Sequence, residues 1–234
     1  MIYITSDTHG EIGRFWGENK MNDDHLTKDD YLIIPGDFGF IFQTKGTMAY
    51  LEEREHLKAL EEKPYTILFV DGNHENFDRL NHEFETESWH GGRVHRIRPN
   101  ILHLMRGHVF EIDGKKIFTM GGGYSRDKYA RTEGFSWWAA EMPSNEDYRQ
   151  ANASLKEHNF KVDLIITHTA PLKLIYAMAR TPDPHEQELT GYFEWLHENV
   201  DFKHWYFGHW HTDLHFTGMF DRFTAVYFDL IPVE

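Results

Sequence analysis

The chain contains no cysteine among its 234 residues. Disulfides, thiolate zinc sites and cysteine nucleophiles are thereby excluded. Basic residues are few beside acidic ones: Lys and Arg number 24, Asp and Glu 38, for a net charge of −14. Nonspecific nucleic-acid affinity rests mainly on Lys and Arg contacts to phosphate, so this balance opposes a polynucleotide partner, while a local basic groove stays open. No apolar run approaches the about 18 residues of a membrane span. The N-terminus, Met1-Ile2-Tyr3-Ile4-Thr5-Ser6-Asp7, has neither a basic region nor a long apolar stretch. Neither a signal peptide nor a membrane span is expected, and a cytoplasmic protein is. Internal repeats, low-complexity tracts and linkers are also missing.

What is present fits a folded enzyme. Hydrophobic residues make up 40% and aromatic residues 15% of the chain. That supports a sizeable core and excludes disorder. A single domain over residues 1–234 is expected, because the chemistry-bearing residues come from both ends.

Those residues fall in five places, each after an apolar run that reads as a buried strand. Asp7-Thr8-His9 follows Ile2-Tyr3-Ile4-Thr5, and Gly36-Asp37 follows Tyr31-Leu32-Ile33-Ile34. Gly72-Asn73-His74-Glu75 follows residues 65–70, and His168 follows residues 162–166. Gly208-His209-Trp210-His211 follows Trp205-Tyr206-Phe207. Any one of these reads equally as a polar turn. Together they offer Asp7, His9, Asp37, Asn73, His168, His209 and His211 at one edge, where parallel strands end. In extended chain, residues i and i+2 face one way, which would point Asp7 with His9 and His209 with His211 at one centre. Gly36, Gly72 and Gly208 permit tight turns and close backbone approach. Seven N and O donors are too many for one tetrahedral ion and suit a pair.

This ordered set resembles the calcineurin-like metallophosphoesterases, and it spans residues 7 to 211. The resemblance implies an α/β fold of two facing mixed β-sheets flanked by helices, a four-layer sandwich. It implies one metal on Asp7, His9, Asp37 and His211, and a second on Asp37, Asn73, His168 and His209. Two divalent ions, Mn, Fe or Zn, would sit about 3.5–4 Å apart and generate a bridging hydroxide that attacks phosphorus. His74 takes the family's catalytic place, at the leaving oxygen or the phosphoryl group. The expected reaction is phosphoester hydrolysis, as a phosphatase or a phosphodiesterase. The alternatives are a nuclease of the same family and a catalytically inactive binding module. A nucleotide is one candidate substrate. Phe38-Gly39-Phe40 follows Asp37 where the protein-phosphatase branch carries a further Asp and an Arg, which disfavours that branch.

The rest of the chain supports this frame. Residues 47–62 read as an amphipathic helix with Met48, Leu51, His56, Leu57 and Leu60 on its apolar face. Residues 93–120 read as an antiparallel meander with an Asp113-Gly114 turn, placing His95, His103 and His108 on the solvent side. Residues 121–143 form a long loop, a candidate substrate wall, with Arg126, Lys128 and Arg131 as phosphate partners. Ser144-Asn145-Glu146-Asp147 starts a helix to about residue 158. Residues 214–216 and 223–230 read as closing antiparallel strands.

Overall fold

The computed structural model describes residues 1–18 and 20–233. The first sheet starts from three parallel strands: β1 (Ile2–Ile4), β2 (Tyr31–Pro35) and β3 (Thr66–Val70). Nearly every residue in them is buried, which explains the unbroken apolar runs: both faces are covered. Between them lies α1 (Met48–Glu61), and after them α2 (Phe77–His82). The sheet continues through β4 (Thr86–Trp89), β5 (Gly92–Arg98) and β6 (Ile101–Leu104), with β6 parallel to β3 and antiparallel to β5.

The second sheet contains β7 (His108–Ile112), β8 (Lys115–Met120), β9 (Leu164–Thr167), β10 (His204–Phe207), β11 (Leu214–His215) and β12 (Phe223–Ala225). Helices α3 (Asn145–Glu157), α4 (Leu172–Ala177) and α5 (Gln187–Asn199) cover its outer face. A last strand, β13 (Ile231–Pro232), returns to pair with β1. The strand orders are β13-β1-β2-β3-β6-β5-β4 and β11-β12-β10-β9-β8-β7.

Side-chain alternation builds the layers. Ile2, Ile4, Ile33, Leu68 and Val70 of one sheet pack with Ile117, Leu164 and Ile166 of the other. Tyr3, Leu32, Ile34, Ile67 and Phe69 face outward, onto Leu57, Leu60 and Leu80 of the helices. Four layers result, helix, sheet, sheet, helix, as expected for this fold class. No helix among the described residues is long and apolar enough to cross a membrane.

Four expectations are corrected. Residues 93–120 are not one meander: the chain passes from the first sheet to the second between β6 and β7. The Asp113-Gly114 hairpin itself forms, both residues having the positive φ that its turn requires (49° and 71°). His95, His103 and His108 are buried rather than solvent-facing, because helix and loop segments cover both faces of their strands. On α1, Met48 is 81% and Leu51 51% exposed, while Glu53 is buried. Its carboxylate accepts hydrogen bonds from the Phe42 and Gln43 amides and pairs with Arg79, so a charged residue occupies the inward face. Finally, β12 stops at Ala225 and runs parallel to β10, although β11 and β12 do pair antiparallel.

Candidate metal centre

The ligand segments are not extended. Asp7, His9, Asp37, His209 and His211 all have positive φ, between 45° and 67°. Left-handed backbone is uncommon for residues with a Cβ and costs of order 1–3 kcal/mol each. The i, i+2 argument from extended chain therefore fails in its geometry: Asp7 Oδ1 and His9 Nε2 do approach at 3.9 Å, but His209 turns to His168 and His211 to His9. What turns them is a set of tight loops at the strand ends. The Asp7 carboxylate accepts from the His209 amide at 3.1 Å, and Asp37 Oδ1 accepts from the His74 amide at 2.7 Å. Gly72 is required sterically: a Cβ there would lie 2.1 Å from Asp37 Oδ1. Gly36 has φ 88°, and a Cβ would meet His168 Nδ1 at 2.1 Å.

The seven side chains converge. His9 Nε2 lies 3.0 Å from His211 Nε2, and His211 Nε2 lies 3.4 Å from Asp7 Oδ1. His9 Nε2 is 3.8 Å from Asp37 Oδ2. On the other side of Asp37, His168 Nε2 is 3.4 Å from Asp37 Oδ1, 3.2 Å from Asn73 Oδ1 and 3.1 Å from His209 Nδ1. His168 Nδ1 sits 2.9 Å from the Pro35 carbonyl. A proton there leaves Nε2 free for a cation, the tautomer that a metal ligand needs. Among the described residues, three overlapping groups could hold an ion: Asp7, His9 and His211; His9, Asp37 and His74; Asp7, Asp37 and His168. His74 thus lies within ligand distance as well.

The electrostatics ask for a cation. Asp7 and Asp37 are buried carboxylates with no Lys or Arg in ion-pair contact among the described residues. Burial pushes Asp37 up, but the rings of His168, His74 and His9 outweigh it and hold its pKa well below the usual range. Burial pushes His168 down, but Asp37 and Asp7 outweigh it and raise its pKa to about 10. Burial and the His168 charge drive His209 to about 3. Two buried carboxylates without a Lys or Arg partner suit divalent ions, and the mixed imidazole, carboxylate and amide donors suit the same ions.

A family model for the calcineurin-like phosphoesterases matches residues 1–213. The chain belongs to this family. The family is one of phosphoric ester hydrolases that use divalent metals, and the clustered His and Asp groups could hold such an ion. Among solved structures the phosphoesterase is similar to a candidate 5'-nucleotidase from Staphylococcus aureus, determined with alpha-ketoglutarate. Identity is 14% and the TM-score 0.48, over 97% of this chain and 48% of the other, so this chain spans about half that protein's length. It is also similar to the phosphopantetheinyl hydrolase of Mycobacterium tuberculosis, with 18% identity, a TM-score of 0.49, and coverage of 97% and 89%. No curated protein matches the chain.

A cleft of about 530 Å³ opens over the centre of the phosphoesterase, lined by Asp37, Asn73, His74, His209 and His211. Arg126 and Arg131 line it too, as expected, and Arg131 Nη2 lies 3.3 Å from His74 Nε2. Lys128 does not reach it: its ammonium lies over the rings of Tyr124 and Trp137. Tyr124 and Asp127, from the loop expected to form a wall, line it as well, Asp127 pairing with Arg131 Nη2 at 2.8 Å, whereas Arg180 and Trp210 were missed. Arg180 follows α4, where a cation reads simply as a helix C-terminal charge. Two buried carboxylates were also missed: Glu186, whose Oε1 lies 3.9 Å from His209 Nε2, and Glu141. In sequence Glu186 looks like an ordinary surface helix residue and Glu141 like part of a polar loop. Phe38, Phe40 and Ile41 are core, while half-buried Phe42 tilts against the His74 ring at 6.0 Å.

Proposed function

We propose that this phosphoesterase acts as a single domain and hydrolyses a small phosphoester at a centre for two divalent ions, Mn, Fe or Zn. The observation that carries the reading is the convergence of seven donors around the shared carboxylate of Asp37, beneath a cleft holding three guanidinium groups. Asp7, His9, Asp37 and His211 would hold one ion. Asp37, Asn73, His168 and His209 would hold the other. Bound ions supply an acidified water and polarise the phosphoryl oxygens.

The chain's own residues then bind and orient. Arg131 offers a planar fork to two phosphoryl oxygens, with Arg126 and Arg180 further out in the cleft. His74 lies between the centre and Arg131. Burial pushes its pKa down, so the ring is neutral at pH 7 and has one N–H to give to the leaving oxygen. Arg131 would turn from His74 to the phosphoryl group when substrate enters. The cleft volume falls within the roughly 300–1,000 Å³ of small-molecule sites. With a net charge of −14, that supports a small substrate such as a nucleotide over a polymer.

The test is hydrolysis of p-nitrophenyl phosphate and bis-p-nitrophenyl phosphate with Mn²⁺ and with chelator, using Asp37→Asn as control. Chelator-sensitive turnover is expected, with the preferred ester separating phosphatase from phosphodiesterase. Asp37→Asn should lower the rate by orders of magnitude and reduce bound metal. Near-normal turnover in that variant would remove the shared-carboxylate assignment. Metal-loaded protein with no activity on either ester would favour a binding module.

A further inference from the structure

One ligand of the proposed pair has two faces that differ. Asn73 presents either an oxygen or an NH₂ group, and only the oxygen can bind a cation. The orientation is decided behind the site. Asn73 Nδ2 donates to Ser125 Oγ at 3.3 Å. Ser125 Oγ donates to Glu141 Oε2 at 2.7 Å, and the Ser125 amide donates to Glu141 Oε1 at 2.9 Å. All three residues are buried, Ser125 and Glu141 being 1% exposed. No cation forms an ion pair with Glu141 among the described residues; burial pushes its pKa up, and the two Ser125 hydrogen bonds, with Lys128 and Arg131 at longer range, favour the carboxylate.

The polarity of this chain follows from counting hydrogens. A carboxylate only accepts, and a hydroxyl has one hydrogen. Glu141 takes that hydrogen, so Ser125 Oγ can only accept from its other neighbour. Asn73 must therefore turn its NH₂ toward Ser125 and its Oδ1 toward His168 Nε2, 3.2 Å away. Flipping the amide would set two oxygens against each other at Ser125 and aim two N–H groups at the cations.

We propose that Ser125 and Glu141 form a relay that fixes the amide of Asn73 and so sets the affinity of the ion held by Asn73, His168 and His209. The proposal rests on the two-ion reading. Both are positioning residues, since neither touches metal or substrate. The relay also ties the loop that carries Arg126 and Arg131 to a metal ligand.

The experiment is a calorimetric Mn²⁺ titration of the chelator-treated protein, with bound metal counted by elemental analysis. Glu141→Gln keeps the side-chain volume and the acceptor for the Ser125 amide. It can also donate to Ser125 Oγ, so the hydroxyl is released to point either way. The second ion should bind about 10–100-fold more weakly, with the first unchanged, as expected for a lost supporting partner. The same change is then made with Asn73→Asp, whose two oxygens need no orientation. In that background Glu141→Gln should have little effect. An equal loss in both backgrounds would mean that Glu141 merely holds the loop, and would overturn the relay. So would tight binding of two ions by Glu141→Gln alone. A wild-type protein that takes up a single ion would instead overturn the two-ion reading, and the two-background comparison would still decide the relay on that ion.

Discussion

His108 offers a test of burial through pH. It sits on β7 with 9% exposure, and its Nδ1 lies 3.4 Å from Gln150 Nε2. The amide nitrogen only donates, so this contact requires a neutral ring. Burial pushes the pKa of His108 from 6.5 to about 4. Because the folded value is depressed, the unfolded chain binds a proton that the folded chain refuses. Stability is therefore complete above pH 6.5 and is lost as pH falls toward 4. Between pH 8 and pH 5 the linkage amounts to about 2 kcal/mol for this residue. His95, driven by burial and His103 to about 3, contributes a similar and separate loss. The assay is urea unfolding of chelator-treated protein at both pH values, for wild type and His108→Gln. The variant is expected to lose about 2 kcal/mol less on acidification, whatever its stability at pH 8. The clustered Asp and His side chains are common to both proteins, so the difference isolates His108. Parallel losses in the two proteins would show a histidine that titrates as if in water, and would refute the buried placement.

Three further outcomes are expected. His74→Ala should retain both ions by elemental analysis yet lose rate, most for esters with poor leaving groups; loss of metal would make His74 a ligand. Asp71→Asn breaks a buried pair in which Arg106 donates to Asp71 Oδ2 from Nε at 2.8 Å and from Nη2 at 2.5 Å, and should cost about 3–5 kcal/mol in denaturant unfolding. A cost below 1 kcal/mol would mean that solvent replaces the pair. Gly72→Ala has no left-handed backbone to satisfy, so its effect is purely steric: a Cβ 2.1 Å from Asp37 Oδ1 and 2.8 Å from His168 Nε2 should abolish metal uptake while circular dichroism stays native.

The centre was legible in sequence because buried parallel strands leave an uninterrupted apolar record that stops where the ligands start. Asp7, Asp37, Asn73, His168 and His209 each lie just past such a stop. The reason first given, extended chain alternation, does not hold, since left-handed backbone leaves no mark in composition. His95 and His103 were misread because alternation identifies a face without saying what covers it. Here His103 Nε2 approaches Asp71 Oδ1 at 3.1 Å, a contact 32 residues away in sequence. Glu53, Glu141 and Glu186 were invisible for the same cause: a carboxylate that serves distant amides resembles one that faces water. The Asp113-Gly114 hairpin and the Ser144–Asp147 capping box were readable because both are complete within a few residues.

Asp7, Asp37 and Asn73 leave the first sheet, whereas His168, His209 and His211 leave the second. The apolar layer that separates the sheets thus sets how far apart the backbones carrying these two sets of donors lie. Ile4, Ile33, Val70 and Ile166 act as shims. Interiors packed at crystal-like density do not absorb an extra methylene without moving something. Relatives that share every donor can therefore differ in metal preference through the aliphatic residues between the sheets, and an alignment of ligands alone would not tell them apart.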